Sequence, residues 1–205
     1  YPLYVDPQWT PPNCVCTRNH YLVQYGCGKP AVPGFTKWDN DDGLRAGYIV
    51  PSDATCANHQ VTARSFVELS LEGLSGKKIY GAELDLSLLS GTTCGGENRL
   101  VLANVINSSM QFGSQPGWTR DLATITECHG GGLSFDFTGL VAELAGNSAP
   151  TLTFGLVSPD ENSQDTWKRY ARDVGFSVTY NSVPNQPENL QIFNGTRGLP
   201  CRTGP

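Results

Sequence analysis

The strongest constraint on the fold of this chain is a period-two alternation of apolar and polar side chains. Between residues 82 and 88, Ala and Leu alternate with Glu, Asp and Ser, and residues 133–137 repeat the pattern with Leu and Phe. Successive side chains of a strand point to opposite faces, so each stretch predicts a β-strand with one wet face. Similar stretches are 21–25, 46–50, 61–71, 98–106, 151–157 and 175–180. They bring the predicted total to about eight strands.

Turn-forming residues separate these stretches and predict an all-β, two-sheet antiparallel sandwich. The chain has 205 residues, including 23 Gly and 14 Pro, and only 16% of its residues are charged. This length suits one large β domain, which we place at residues 1–181 with a Cys-rich N-terminal extension. Spaced prolines predict a linker at 182–205 that leads into a following module. The single predicted helix is 138–146, with Thr138 as its cap and Gly146 at its end.

The charge and hydropathy of the chain exclude two classes of partner. A net charge of -5 leaves no basic stripe that could neutralise phosphates, so we expect no nucleic-acid binding. No apolar run approaches the roughly 20 residues that cross a bilayer, so we expect no membrane insertion. The sequence starts at Tyr1 without a leader, and we therefore expect a chain processed or excised from a longer polypeptide.

Seven cysteines in a chain poor in Lys, Arg and Met predict a secreted, extracellular protein with disulfides. An odd number leaves at least one cysteine without a partner inside the chain, and Cys201, in the linker, is expected to serve the following module. Cys14 and Cys16 are too close to bridge each other without strain. The N-terminal cysteines are therefore expected to pair in one of two ways, either Cys14 with Cys27 and Cys16 with Cys56, or Cys14 with Cys56 and Cys16 with Cys27.

Two segments carry the residue types that bind metals. Asp39, Asp41 and Asp42 precede Gly43, and calcium uses such oxygen ligands in tight loops, so a structural calcium site is one interpretation and a plain acidic turn is the other. Three thiols and His20 between residues 14 and 27 offer zinc ligands, but their spacing matches no recognised zinc ribbon or finger. Disulfides are the preferred interpretation there, and no other cofactor is expected.

An enzymatic function finds little support in the sequence. Glycoside hydrolysis needs two carboxyl groups held at a defined separation, and the available candidates are Glu68, Glu83, Asp85 and Asp136. Glu83 and Asp85 fall on the wet face of a predicted strand, where solvated surface charge is the simpler interpretation. The three histidines are accompanied by no Gly-x-Ser-x-Gly motif, so we expect no enzyme.

Residues 167–170 gather aromatic and cationic side chains at one place. In a strand, Trp167 and Arg169 point one way while Lys168 and Tyr170 point the other. One hypothesis places Lys168 and Tyr170 on an outer face, where the ring stacks on a sugar and the ammonium meets the carboxylate of an acidic sugar. The alternative is structural: Trp167 closes the end of the core and the cations cover its edge.

The remaining tryptophans are also candidates either for ligand binding or for a structural role. Trp9 and Trp38 lie in irregular Pro- or Asp-rich segments and are further candidates for ligand binding. Trp118 follows Gln-Pro-Gly and fits either a core or a surface position. A row of exposed aromatic side chains would indicate a glycan-binding surface, whereas aromatic side chains confined to the core would indicate a structural module.

Five segments of the chain follow one another in a specific order, namely 64–88, 112–118, 133–147, 152–158 and 167–180. Together they resemble the DNRLRE-type module of large secreted actinobacterial proteins. That module is similar to the family 96 carbohydrate-binding modules, which are β-jelly-roll domains. The resemblance covers about residues 39–181, while Phe112 stands where this family usually has Trp and residues 11–30 have no counterpart in it.

The resemblance implies a non-catalytic, extracellular bacterial module that binds a polysaccharide or cell-wall glycan. The alternative is a structural spacer or assembly module of a large secreted protein such as an adhesin or toxin. The resemblance also implies a disulfide between Cys94 and Cys128, and a fibronectin-like neighbouring module after residues 184–190. Neighbouring modules of the same polypeptide are therefore expected partners.

Overall fold

The computed structural model of the chain describes residues 43–50, 61–91, 93–107, 109–110 and 114–181 and, for the backbone alone, 5–9, 16–26, 32–38 and Gln60. These residues form twelve strands, one α-helix and one turn of 3-10 helix. The elements are β1 Val5–Trp9, β2 Cys16–Gly26, β3 Val32–Trp38, β4 Leu44–Ile49, β5 Gln60–Ser70, β6 Ile79–Gly91, β7 Asn98–Ala103, β8 Trp118–Ile125, β9 Gly131–Asp136, α1 Thr138–Gly146, β10 Thr151–Val157, the 3-10 turn Gln164–Thr166, β11 Lys168–Tyr170 and β12 Gly175–Asn181. The prediction of an all-β chain is confirmed.

The strands form one curled antiparallel sheet. Its hydrogen-bonded order is β1, β12, β6, β11, β4, β5, β10, β7 and β8, while β2 pairs with β5, β3 with β2, and β9 with β6. Strand β4 joins the two halves of this sheet, because residues 44–46 pair with β11 and residues 47–49 pair with β5. In the described ranges no helix has the length and apolar character needed to span a membrane.

A glycine makes the crossing at β4 possible. Gly47 has a φ of 106°, and a Cβ at this position would overlap the backbone carbonyl of Thr166. The next residue is tied to the same place, because the Tyr48 backbone N–H donates a 3.2 Å hydrogen bond to Thr166 Oγ1. Only a residue without a side chain lets the 3-10 turn approach β4 this closely.

The main core lies inside the curled sheet and confirms the alternation seen in the sequence. In β6, Ala82, Leu84, Leu86 and Leu88 are buried, whereas the intervening Glu, Asp and Ser are exposed. Their buried neighbours come from both halves of the sheet and from α1, and they include Leu44, Val67, Leu69, Leu100, Val141, Leu152, Phe154, Leu156, Phe176 and Val178. Burial of this continuous apolar set is the main force that holds the two halves together.

The helix begins and ends at the residues predicted from the sequence, but its N-cap residue differs from the prediction. Phe137 is the N-cap residue and makes no side-chain capping bond, so the expected cap by Thr138 is wrong. Thr138 is instead the first helical residue, and its hydroxyl accepts a 3.0 Å hydrogen bond from the Ala82 backbone N–H. Asp136 supplies the acceptor that the helix start needs, because its Oδ1 lies 2.8 Å from the Thr138 backbone nitrogen.

Candidate functional site

Lys168 and Tyr170 point to the same side of β11, as predicted, but that side faces the core. Both side chains are 0% exposed, whereas Arg169 between them is exposed. Strand β11 pairs with β4 and β6, and Tyr170 belongs to the main core, so this side of β11 lies inside the curled sheet. The predicted outer binding face with Lys168 and Tyr170 is therefore wrong.

The two buried side chains belong to an internal polar network. Lys168 Nζ donates a 2.8 Å hydrogen bond to the Gly96 carbonyl, and the Tyr170 hydroxyl donates a 2.8 Å hydrogen bond to Asn98 Oδ1. Burial lowers the pKa of Lys168, which the charge of Glu127 partly offsets, and burial raises the pKa of Tyr170 far above its ordinary value. Such a network satisfies buried polar groups, so its role is structural.

Trp167 is half-buried and packs against a small apolar cluster that contains Val61 and Ala63. This contact lies where β4, β5 and the start of β11 meet. It supports the structural alternative in which Trp167 closes one end of the core.

A polar depression of about 560 Å³ lies on the outer face of β6, β9 and β12. Glu83 is at its centre, because the register places it opposite Ser177 of β12 on one side and Asp136 of β9 on the other. Gly81 lines the same depression opposite Thr179 and leaves room there. The side chains that line it are small or acidic, namely Glu83, Ser134, Asp136, Thr138, Ser177 and Thr179.

Hydrogen bonds within the depression orient its carboxylates. The Ser134 hydroxyl donates to Glu83 Oε1, and Asp136 accepts the backbone N–H of Thr138. Hydrogen bonds from the side chain and the backbone of Thr138 lower the pKa of Asp136, so this exposed group is ionised at neutral pH. The depression therefore presents fixed carboxylates beside hydroxyl groups, a combination of acceptors and donors that suits a ligand rich in hydroxyls.

Sequence reasoning placed Glu83 on a wet face but missed the depression itself. The signal that could have found it is the set of small outward residues on three alternating strands, at 81–87, 132–136 and 175–179. The pattern did not show which of these strands are neighbours, because β9 and β12 join β6 from distant parts of the chain.

The exposed aromatic residues of the described ranges do not form a row. Tyr80 in β6 is 39% exposed and Trp118 in β8 is 42% exposed, and these strands lie in different halves of the sheet. Trp118, whose position the sequence left open, thus belongs to the surface. The Arg64 guanidinium carbon lies 5.9 Å from the centroid of the Trp118 ring, and Arg64 Nε is 2.6 Å from Glu161 Oε1.

Cys94 and Cys128 are at disulfide-bonding distance, with their Cα atoms 4.9 Å apart, as the resemblance implied. His129 Nε2 lies 3.7 Å from the Cys94 sulfur. The pair links the segment after β6 to the segment between β8 and β9.

The other predicted site residues carry no side-chain description. Trp9 ends β1 opposite Val178 and Trp38 ends β3 opposite His20, so the expectation of irregular segments at these two residues is wrong. Cys16 begins β2 opposite Leu69. The linker at 182–205 and the remaining predicted residues lie outside the described residues, namely Cys14, Cys27, Asp39, Asp41, Asp42, Cys56 and Cys201. Their predicted roles in disulfides and calcium binding stay predictions.

No family model matches the chain, and a search of curated proteins finds no match either. The resemblance to the DNRLRE-type module accordingly stays an expectation.

Proposed function

We propose that the chain is a non-catalytic, secreted glycan-binding module and that the polar depression over β6, β9 and β12 is its binding surface. The observation that supports this most is the position of Glu83 between Ser177 and Asp136, which gathers carboxylates and hydroxyls from three strands. Sugar hydroxyls donate to carboxylates and exchange hydrogen bonds with Ser and Thr. The volume of about 560 Å³ is within the range of small-ligand sites.

The charge of the depression favours a neutral glycan over an acidic one. The expectation of an acidic polysaccharide depended on an exposed Lys168, and this side chain is buried. Glu83 and Asp136 would instead repel the carboxylate of an acidic sugar. Because the depression is open to solvent and has no stacked ring, we expect a dissociation constant in the micromolar to millimolar range, or about -4 to -8 kcal/mol.

We further propose that the curled sheet is a two-sheet sandwich of jelly-roll type within an extracellular bacterial protein. Two observations support this fold: β4 pairs with both halves of the sheet, and one apolar core draws side chains from each half. The Cys94–Cys128 pair is compatible with an oxidising compartment. Antiparallel sheets commonly have one face packed on the core and the other exposed to water, and the depression lies on the exposed face.

A structural spacer or assembly module is the second candidate. It is favoured by the burial of most described aromatic side chains and by the separation of Tyr80 from Trp118. The aromatic side chains in the core are Tyr48, Phe66, Phe137, Phe154, Tyr170 and Phe176. A spacer would bind no glycan and would contribute only its length and its contacts with neighbouring modules.

Affinity electrophoresis and calorimetry separate these two functions. Neutral glucans, pectin, alginate and cell-wall preparations serve as ligands, and the variants are Glu83→Gln and Asp136→Asn. Asp136→Asn keeps the Oδ1 acceptor for the Thr138 N–H while removing the charge, so the helix start is retained. Asp173→Asn is the matched control, because this exposed carboxylate is in the loop between β11 and β12.

We expect binding to a neutral glycan that each depression variant weakens by about 10-fold or more, the effect of losing one hydrogen bond to a charged group. Asp173→Asn should leave the affinity unchanged. Binding that neither depression variant alters would reject the depression as the site. Absence of binding to every ligand would support the spacer function.

A further inference from the structure

Three potential metal ligands lie close together, one in the segment between β6 and β7 and two in the segment between β8 and β9. One ligand atom from each of Cys94, Cys128 and His129 lies within 4.8 Å of the other two. Cys94 and His129 are exposed and Cys128 is half-buried, so all three are near the surface. The depression over β6, β9 and β12 contains none of these residues, so metal binding by this group is independent of glycan binding.

We propose that reduction of the Cys94–Cys128 disulfide converts this group into a zinc site with two thiolates and one imidazole. Two molecules of a thiol supply two electrons and two protons and become one disulfide, which leaves Cys94 and Cys128 as thiols. Zinc then displaces one proton from each thiol and binds the neutral imidazole of His129. A water molecule completes the four ligands.

The distance between one sulfur and the imidazole nitrogen already matches the distance between two ligand atoms of a zinc ion. Zinc bonds of about 2.3 Å to sulfur and about 2.0 to 2.1 Å to nitrogen, at a tetrahedral angle, place the two ligand atoms about 3.6 Å apart. The Cys94 sulfur and His129 Nε2 are 3.7 Å apart. Thiolate and imidazole ligands together suit zinc rather than calcium or magnesium.

The segments that carry the ligands are held in place by contacts other than the disulfide. Lys168 Nζ donates to the Gly96 carbonyl at 2.8 Å, and Gly96 lies so close to the backbone of Asp165 that a Cβ there would overlap it. On the other side, the Gly91 N–H donates a 3.0 Å hydrogen bond to the Cys128 carbonyl. The two thiols therefore stay close after reduction. Zinc binding then requires the two sulfurs to separate from bonding distance to about 3.8 Å, the span of two zinc–sulfur bonds of about 2.3 Å at a tetrahedral angle.

Zinc in this site would also hinder reoxidation. A free thiolate is the species that attacks in disulfide formation, and a metal-bound thiolate is withdrawn from that reaction. The site thus has two exclusive states, a disulfide without metal and a dithiolate with zinc.

The test uses the full chain, reduced with a phosphine in metal-free buffer and then loaded with zinc or with cadmium as a spectroscopic substitute. Cadmium NMR gives a separate resonance for each site, so metal held by the other five cysteines is distinguished from metal held here. We expect one resonance with sulfur and nitrogen ligands in the reduced chain, and none in the unreduced chain. His129→Ala should shift or abolish it, and should weaken zinc binding by about 100-fold or more, above the effect of losing a second-shell partner.

The variants distinguish this site from general thiol binding. Cys94→Ser/Cys128→Ser should lose the resonance, whereas Cys201→Ser, the matched control, should keep it. Because the double variant also lacks the disulfide, His129→Ala provides the independent test, since it retains both cysteines. Two outcomes would overturn the proposal. One is a cadmium spectrum that His129→Ala leaves unchanged, and the other is that every resonance of the reduced wild type persists in the double variant.

Discussion

Lys168 Nζ donates a 2.8 Å hydrogen bond to the backbone carbonyl of Gly96, which precedes it by 72 residues. The bond joins β11 to the segment before β7, next to the Cys94–Cys128 pair. Burial disfavours the ammonium and lowers its pKa, while the charge of Glu127 acts in the opposite direction with the smaller effect. A lysine that sequence reasoning assigned to a ligand therefore acts within the core.

This lysine should make the stability of the chain depend on pH. A base with a lowered pKa binds fewer protons in the folded state than in the unfolded chain, so stability rises with pH between the lowered pKa and the ordinary value of 10.5. In Lys168→Met this contribution is absent. We expect the free energy of unfolding of the wild type to rise relative to Lys168→Met by at most about 1.4 kcal/mol per pH unit.

Urea unfolding between about pH 7 and about pH 9 measures this difference, below the range in which unfolded tyrosines ionise. The raised pKa of Tyr170 works in the opposite direction above that range, because only the unfolded state then loses the phenol proton. Lys78→Met removes an exposed lysine and should follow the wild-type pH profile. Parallel profiles for wild type and Lys168→Met would contradict the expectation.

Tyr170→Phe should destabilise the fold by about 1 to 3 kcal/mol, because it leaves buried Asn98 Oδ1 without the hydroxyl that donates to it at 2.8 Å. The ring itself still fits, so the cost comes from the lost hydrogen bond and not from a cavity. Tyr80→Phe, at a 39% exposed position, should change the stability by no more than about 0.5 kcal/mol. Thermal or urea unfolding of both variants measures the difference, and equal effects would count against a structural network.

The sequence predicted local structure better than it predicted which face of a strand is buried. Period-two patterns located β2, β4, β5, β6, β7, β9, β10 and β12, and the helix bounds matched at both ends. Strands β1 and β3 contain proline, β11 has only three residues, and β8 is exposed along most of its length, so none of them carries the pattern.

The orientation of β11 could not be predicted from its own residues. Alternation shows that Lys168 and Tyr170 share a face, but it does not show which face meets the core. That choice depends on Asn98 at the start of β7, in the other half of the sheet, and on Gly96 just before it, which satisfy the polar ends of the two side chains. A long polar side chain is buried when such partners exist, and pairings between distant segments are invisible in a local pattern.

The Cys94–Cys128 disulfide should stabilise the chain by about 3 to 4 kcal/mol, because it closes a loop with a sequence separation of 34 residues. Cys94→Ser/Cys128→Ser should therefore unfold at a clearly lower urea concentration than the wild type. Peptide mapping without reductant should recover a fragment that contains both cysteines. Recovery of either cysteine as a free thiol would disprove the pairing, and Cys201→Ser serves as the control for loss of a thiol elsewhere.

Gly47, where β4 crosses from one half of the sheet to the other, should tolerate a side chain poorly. Gly47→Ala forces a residue with a Cβ into a φ of 106° and against the Thr166 carbonyl, so we expect a loss of about 1 to 3 kcal/mol or more. Gly132→Ala is the matched control, because a Cβ at Gly132 in β9 meets no atom within 4 Å. Urea unfolding of the two variants compares them directly. If Gly47→Ala is as stable as Gly132→Ala, the close approach of Gly47 to the Thr166 carbonyl does not exclude a side chain.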